Sequence, residues 1–175
     1  MPTMRAAILT SSDAGSRGER EDLSGQRLCE LVQEIAELSD YQVLPDEPVE
    51  LERQIWRWIR QGINLVVTTG STGLGPRDVL PEVARRIIDR EIPGMAEAMR
   101  SESLKHTPFG MISRQVAGVR EETLIINFPG SPAAIDELWP VVAPVVPHVL
   151  NLIRGETRHD ALDIDQPVPP GDFGV

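Results

Sequence analysis

The stretch from Ile63 to Glu82, INLVVTTGSTGLGPRDVLPE, limits what this chain can fold into more than any other. An apolar, β-branched run (Ile63, Leu65, Val66, Val67) breaks into small and turn-forming residues (Thr68, Thr69, Gly70, Ser71, Thr72, Gly73, Gly75, Pro76). It then resumes as Asp78-Val79-Leu80-Pro81-Glu82. That pattern predicts a strand, a tight loop and the start of a helix. Such a junction suits an anion. Glycines let the backbone approach a ligand, hydroxyls donate hydrogen bonds, and the first turn of a helix offers unpaired N–H groups with a favourable dipole. Spacing excludes two common versions of it. A Walker-type loop needs a lysine after its last glycine, and Lys105 is the only lysine in the chain. The dinucleotide pattern G-x-G-x-x-G is not met by Gly70, Gly73 and Gly75. A plain strand-to-helix turn remains the alternative. Asp78 stands where it either caps the helix or holds Mg²⁺ through a carboxylate oxygen against a substrate phosphate.

A chain of 175 residues makes one domain with a real core. The net charge of −10 argues against a nucleic-acid surface, which would show a basic stripe. It also means that a phosphate site must invert the local field, through helix termini, a metal ion and arginines. Arg77, Arg114, Arg120 and Arg17 are candidates, and each reads equally well as a solvated charge. Cys29 stands alone in an apolar helical pattern, so neither a disulfide framework nor a cysteine metal cluster is available, and it reads as an inert buried thiol. No apolar run approaches bilayer length and the start lacks a long apolar segment, so the expectation is a cytoplasmic protein without membrane contact.

Arg5 to Ser11 reads as a buried strand that ends in a polar loop, Ser11 to Gly18. That loop lies at the carboxyl edge where open parallel sheets bind ligands. Ser24 is placed to cap the next helix, with Leu28, Leu31, Val32, Ile35 and Leu38 on one face. Tyr41 to Leu44 forms a short second strand, which stops at Pro45-Asp46-Glu47-Pro48. Asp46 alone would read as a turn aspartate. A helix from Val49 to Gly62 follows, with Trp56 off its apolar face, and after the central junction come helices over Val79–Asp89 and Met95–Lys105. Phe109 to Asn127 reads as two strands in a hairpin. The second ends in Asn127-Phe128-Pro129-Gly130-Ser131-Pro132, another junction of the same kind, with Ser131 as N-cap and Pro132 at the first helical position. Two such junctions, with Asp13 and Asp46 at other strand ends, suggest one cleft along a sheet edge. Prolines 140, 144 and 147 divide the next region into a helix to about Trp139 and another from Pro144 or Val145 to Arg154. The domain is expected over residues 1–155. An acidic, proline-rich tail occupies 156–175, where His159, Asp160, Asp163 and Asp165 lack the spacing and rigid frame of a metal site.

Five motifs in order carry a resemblance: TTGSTG (Thr68 to Gly73), PRDVLPE (Pro76 to Glu82), IPGMAEAMR (Ile92 to Arg100), TPFGMISRQVAGVR (Thr107 to Arg120) and LIINFPGSP (Leu124 to Pro132). Over about Arg5 to Gly155 the chain resembles the MogA/MoaB family of molybdenum cofactor biosynthesis proteins, and the G domain of gephyrin and its plant counterpart. The resemblance implies an α/β fold, three-layer α/β/α with a mostly parallel sheet, and usually a homotrimer. It implies a nucleotidyltransferase: the terminal phosphate of molybdopterin attacks the α-phosphate of Mg·ATP, pyrophosphate leaves, and molybdopterin adenylate is held for hand-over to a molybdenum-insertion protein. Asp46 and Asp78 match the family's paired catalytic aspartates, which assigns them to Mg²⁺ binding and phosphate positioning. The loop Ser11, Ser12 and Asp13, the loop Thr69, Gly70, Ser71, Thr72 and Gly73, the pair Ser113 and Arg114, and the turn Pro129, Gly130, Ser131 and Pro132 would line the cleft and hold phosphates and pterin. One departure stands out. The family's loop is typically TTGGTG, and Ser71 replaces its second glycine, at a cost of about 1 kcal/mol or a reshaped loop if that residue needs φ > 0. The altered loop keeps open a second reading, a module that binds molybdopterin without catalysing transfer.

Overall fold

Val66, Val67, Ile125 and Ile126 alternate along two neighbouring strands and are wholly shielded from solvent, which makes this pair the centre of the sheet. A computed structural model describes residues 4–156 of the chain. In chain order the elements are β1 (Arg5–Ser11), α1 (Asp13–Ser16), α2 (Leu23–Val32), β2 (Glu37–Leu44), α3 (Pro48–Arg60) and β3 (Leu65–Thr69). They continue with α4 (Leu80–Ile87), β4 (Arg90–Glu91), α5 (Pro93–His106), β5 (Ala117–Arg120), β6 (Thr123–Phe128), α6 (Pro132–Val142) and α7 (Val146–Ile153). The strands form one six-stranded sheet in the order β2-β1-β3-β6-β5-β4. β2, β1, β3 and β6 run parallel, and β5 is antiparallel to both β6 and β4.

Side chains alternate across a strand, so each strand feeds two cores. Ala6, Ile8, Leu65, Val67, Leu124 and Ile126 face the layer built from α2, α5, α6 and α7. Ala7, Leu9, Val66 and Ile125 face α3 and α4, against Leu51, Ile55, Trp58, Leu80, Val83 and Ile87. This is the expected three-layer α/β/α arrangement with a mostly parallel sheet.

Several local expectations are corrected. Asp22, not Ser24, caps α2: its Oδ1 accepts from the Gly25 N–H at 2.9 Å, and the Ser24 hydroxyl donates to the same oxygen at 3.0 Å. α2 stops at Val32, and Leu38 lies in β2, which begins at Glu37 rather than Tyr41. Apolar spacing across Leu28 to Leu38 fits a helix, but the chain reverses at Ile35 and Ala36 and extends beside β1. α4 starts at Leu80, and Asp78 does not cap it. Met111 and Ile112 are not in a strand; they sit exposed in a 3₁₀ turn over Pro108–Ile112. The two-residue strand β4, made of Arg90 and Glu91, carries no apolar signal at all.

The segment Pro132–Ile153 is, at 22 residues, long and apolar enough by length and composition to cross a bilayer, contrary to the expectation that no run approaches that length. It is broken by a 3₁₀ turn at Ala143–Val145, and Ile135, Leu138, Trp139, Val142, Val146 and Leu150 pack into the core. α6 runs through Pro140 to Val142 instead of ending at Trp139. The acidic tail beyond Glu156, with His159, Asp160, Asp163 and Asp165, lies outside the described residues.

Candidate active site

Four parallel strands deliver their carboxyl ends to one edge of the sheet, and each is followed by a polar or glycine-bearing turn. After β1, Ser12 is extended and caps α1, accepting from the Gly15 N–H at 3.0 Å. After β2 comes Asp46, after β3 Gly70 and Ser71, and after β6 Pro129 to Pro132. Between them lies a cleft of about 260 Å³ that Ser12, Asp46, Gly70, Ser71, Gly130 and Pro132 line together.

The two glycine junctions touch through their backbones. Gly70 has φ +88, and a β-carbon there would stand 2.4 Å from the Ser11 carbonyl oxygen. A β-carbon on Gly130 would come within 3.3 Å of the Gly70 Cα. Thr69 ties the same pair of loops, its hydroxyl donating to the Pro129 carbonyl at 2.8 Å. Ser131 caps α6 as expected, accepting from the Ala134 N–H at 3.4 Å.

Ser71 does take φ +52, the left-handed conformation in which a non-glycine residue is strained. Its side chain offsets that strain. The hydroxyl accepts from the Val79 N–H at 2.8 Å and donates to the Arg77 carbonyl at 3.0 Å, and the Ser71 carbonyl accepts from the Leu80 N–H at 3.2 Å. Those amides belong to the first turn of α4, which has no cap from its own N-cap residue. The serine thus caps α4 from across the loop. Ser71→Ala, which keeps the strain and removes both hydroxyl bonds, is expected to cost about 1–2 kcal/mol. Ser71→Gly relieves the strain while losing the same bonds and should cost less than the alanine. Urea unfolding midpoints of the three proteins check the order.

Asp46 is held at both carboxylate oxygens. The Ser11 hydroxyl donates to Oδ1 at 2.5 Å and the Asp13 N–H to Oδ2 at 3.2 Å. Asp78 is engaged elsewhere: its Oδ2 accepts from the Gly75 N–H at 2.7 Å and fills the space where β-carbons on Gly73 and Gly75 would stand. It is half-buried and does not line the cleft. Asp13 also stands outside the lining, paired with Arg77 at 2.9 Å. The Arg77 guanidinium, with the Asp46 N–H, holds the Asp13 carboxyl below the usual carboxylate range.

Arg114 turns to the glycine loop. Its Nε donates to the Gly73 carbonyl at 2.7 Å and its Nη2 to the Asp78 carbonyl at 2.8 Å, while Nη1 pairs with Glu82. Its own N–H donates to the Thr72 carbonyl at 3.0 Å, and the neighbouring Ser113 hydroxyl bonds Gln115 at 3.0 Å. Thr72, Gly73, Ser113 and Arg114 thus form the frame of the loop, outside the cleft lining.

The expected loop residue Ser11 lines the cleft, and reading by motif missed Thr10, Arg20, Asp22 and Ser24, which line it too. Asp22 anchors this wall, accepting from Gly25, Ser24 and the Tyr41 hydroxyl, with the buried Thr10 hydroxyl facing the same carboxylate short of full hydrogen-bond geometry. Burial pushes the Asp22 carboxyl up, but these polar neighbours outweigh it and hold it below its ordinary value. The signal was Gly25 inside a helix. A β-carbon there would meet Asp22, Thr10 and Tyr41 atoms within 2.8 Å, the close approach that an isolated helical glycine marks.

Comparison with known proteins gives the following. Residues 7–148 match the family described as "Probable molybdopterin binding domain". The molybdopterin adenylyltransferase of Helicobacter pylori strain J99 is 38% identical over 159 residues, covering 89% of this chain and 90% of that protein. Gephyrin of Dictyostelium discoideum is 37% identical over 162 residues, covering 86% of this chain and 23% of that larger protein. Among solved structures, the molybdopterin biosynthesis enzyme MoaB of Thermus thermophilus superposes with a TM-score of 0.81 at 45% identity, covering 87% of this chain and 97% of that one.

Proposed function

We propose a function from one premise: this chain belongs to the molybdopterin-binding domain family of molybdenum cofactor biosynthesis proteins. It is a molybdopterin adenylyltransferase, a nucleotidyltransferase whose substrates are molybdopterin and ATP. An oxygen of the molybdopterin terminal phosphate forms a bond to the α-phosphorus of ATP. The bond from that phosphorus to the β-phosphate bridging oxygen breaks, and its electron pair leaves with pyrophosphate.

One observation carries this reading to the chemistry: Asp46 and the two glycine junctions share one cleft. Joining two polyanions asks for positioning and charge neutralisation rather than a side-chain nucleophile. The Ser12 hydroxyl, the backbone around Gly70 and Gly130, and the N-terminal turn of α6 orient the two phosphate chains. Among the described residues there is no group of three or more potential metal ligands. Mg²⁺ suits such a site, because it uses one or two carboxylates and completes its shell with substrate phosphates and water. Asp46 would hold it from the cleft lining, and Asp78, whose carboxylate accepts from the Gly75 N–H outside that lining, would join by turning from that bond; when bound the ion neutralises charge on the phosphates. In this reading the enzyme works in the cytoplasm and its adenylate passes to a molybdenum-insertion protein.

Purified protein mixed with molybdopterin, ATP and Mg²⁺ tests the reading, with pyrophosphate followed alongside the adenylate by mass. Product that requires both substrates is the expected result. Tight molybdopterin binding without pyrophosphate under any divalent metal would replace the transferase by the binding-only module.

The assembly proposed is a homotrimer. Phe109, Met111 and Ile112 expose 73%, 68% and 50% of their surface on one short turn, and Leu104 is exposed beside it where Gly110 packs on α5. Clustered apolar exposure of this kind marks a protein contact. Met111→Glu is expected to convert trimer to monomer in sedimentation velocity at unchanged helical content, and an unchanged trimer would place the contact elsewhere.

A further inference from the structure

Asp13 and Asp46 follow adjacent strands and bond each other reciprocally. The Asp46 N–H donates to Asp13 Oδ1 at 3.0 Å, and the Asp13 N–H donates to Asp46 Oδ2 at 3.2 Å. Into this pair reaches Arg77 from the glycine loop. Its Nε donates to Asp13 Oδ2 at 3.0 Å and its Nη2 to Asp13 Oδ1 at 2.9 Å. The same Nη2 lies 2.8 Å from Glu47 Oε1, so one guanidinium links the loops that follow β1, β2 and β3. Of these residues only Asp46 lines the cleft; Asp13, Glu47 and Arg77 are outside its lining.

We propose that Arg77 and Asp13 are positioning residues for Asp46, and that neither is a phosphate ligand. A guanidinium fork fixes the plane of the carboxylate it grips, which an ammonium point charge cannot do. With the Asp13 plane fixed, the reciprocal pair sets the Asp46 backbone and one of its carboxylate oxygens, and Ser11 sets the other. The Arg77 side chain is 52% exposed, and pairs so open to water add little to stability. Orientation is what the network supplies. It holds Asp46 at a set distance from the loop that carries Asp78, so the parts of the site that meet substrate phosphates keep one relative geometry.

This inference rests on the transferase reading, and the experiment separates the two. Steady-state kcat and KM for ATP are measured for Arg77→Met, Arg77→Lys, Asp13→Asn and the double variant Arg77→Met/Asp13→Asn. Amide hydrogen exchange at Asp46 is measured in the same full-length proteins without substrates. Arg77→Met should lower kcat about tenfold, because small misplacements in a reacting site cost rate, with KM for ATP unchanged. Arg77→Lys should recover only part of the loss. The double variant should be no worse than the more severe single one, because both changes break one chain of contacts. Exchange at the Asp46 amide should quicken in each. A raised KM at full kcat, or additive losses in the double variant, overturns the inference and makes Arg77 a substrate contact. Wild-type protein that forms no adenylate defeats the transferase reading alone. Exchange then decides: a faster Asp46 amide in Arg77→Met upholds the link, and an unchanged one overturns it.

Discussion

Asp46→Asn is expected to fold like the wild type and to lose pyrophosphate release by about 100- to 1,000-fold, the scale on which removing one preorganised charge-stabilising group acts. The amide can keep the local frame. Its oxygen can accept from the Asp13 N–H, and its NH₂ can donate to the Ser11 hydroxyl, which rotates to accept. What disappears is the negative charge that, in the proposed site, would hold the metal ion against the phosphates. Asp78→Asn should behave alike, since one amide oxygen suffices for the Gly75 N–H. Molybdopterin binding, followed by fluorescence titration, should change little in either variant. Turnover at the wild-type level in both would remove the carboxylates from the chemistry.

How far the sequence foretold this site depends on what kind of signal each part leaves. Both glycine junctions were legible because a positive φ or a backbone contact restricts the residue type, as at Gly70 and Gly130, and because a capping serine followed by proline marks a helix start, as at Ser131-Pro132. The central strands were legible because they are buried on both faces and carry continuous apolar runs, Leu65 to Val67 and Leu124 to Ile126. β2 was half legible: as an edge strand covered only in part it keeps polar residues, and Leu38 fits a helical face as well as a strand. β4 was illegible, since Arg90 and Glu91 pair through backbone atoms that carry no side-chain pattern. The roles of Arg77 and Arg114 were beyond local reading. An arginine looks the same in sequence whether it grips a substrate or, as Arg114 does, carbonyl groups of its own chain 36 and 41 residues away.

Gly70→Ala should cost a large share of the stability through one methyl group that is both strained and in collision with backbone. Alanine would have to adopt φ +88 and place its β-carbon 2.4 Å from the Ser11 carbonyl oxygen, which belongs to a central strand and cannot step aside. Strain of this kind costs of order 1–3 kcal/mol before the clash is relieved, so about 3 kcal/mol or more is expected in all. For a domain of this size that lowers Tm by roughly 6–12 °C. Gly62→Ala is the control. Its φ is +72, yet nothing lies within 4 Å of the added carbon, so only the conformational penalty of about 1–2 kcal/mol applies. Calorimetry of the two proteins separates strain from collision, and equal losses would show that the Ser11 carbonyl yields.

The strand order also sets a schedule for synthesis. β3 is flanked by β1, which leaves the ribosome before it, and by β6, whose Leu124 pairs with Leu65 across 59 positions. At translation rates of about 5–20 residues per second, the far edge of β3 stays bare for roughly 3–12 s while the intervening helices are made. That edge is a ready template for pairing with another chain. A nascent chain halted before Thr123 therefore lacks the cleft wall made by Gly130 and Pro132 and carries a sticky margin. The margin closes and the cleft is completed in one event, as β6 slots in beside β3.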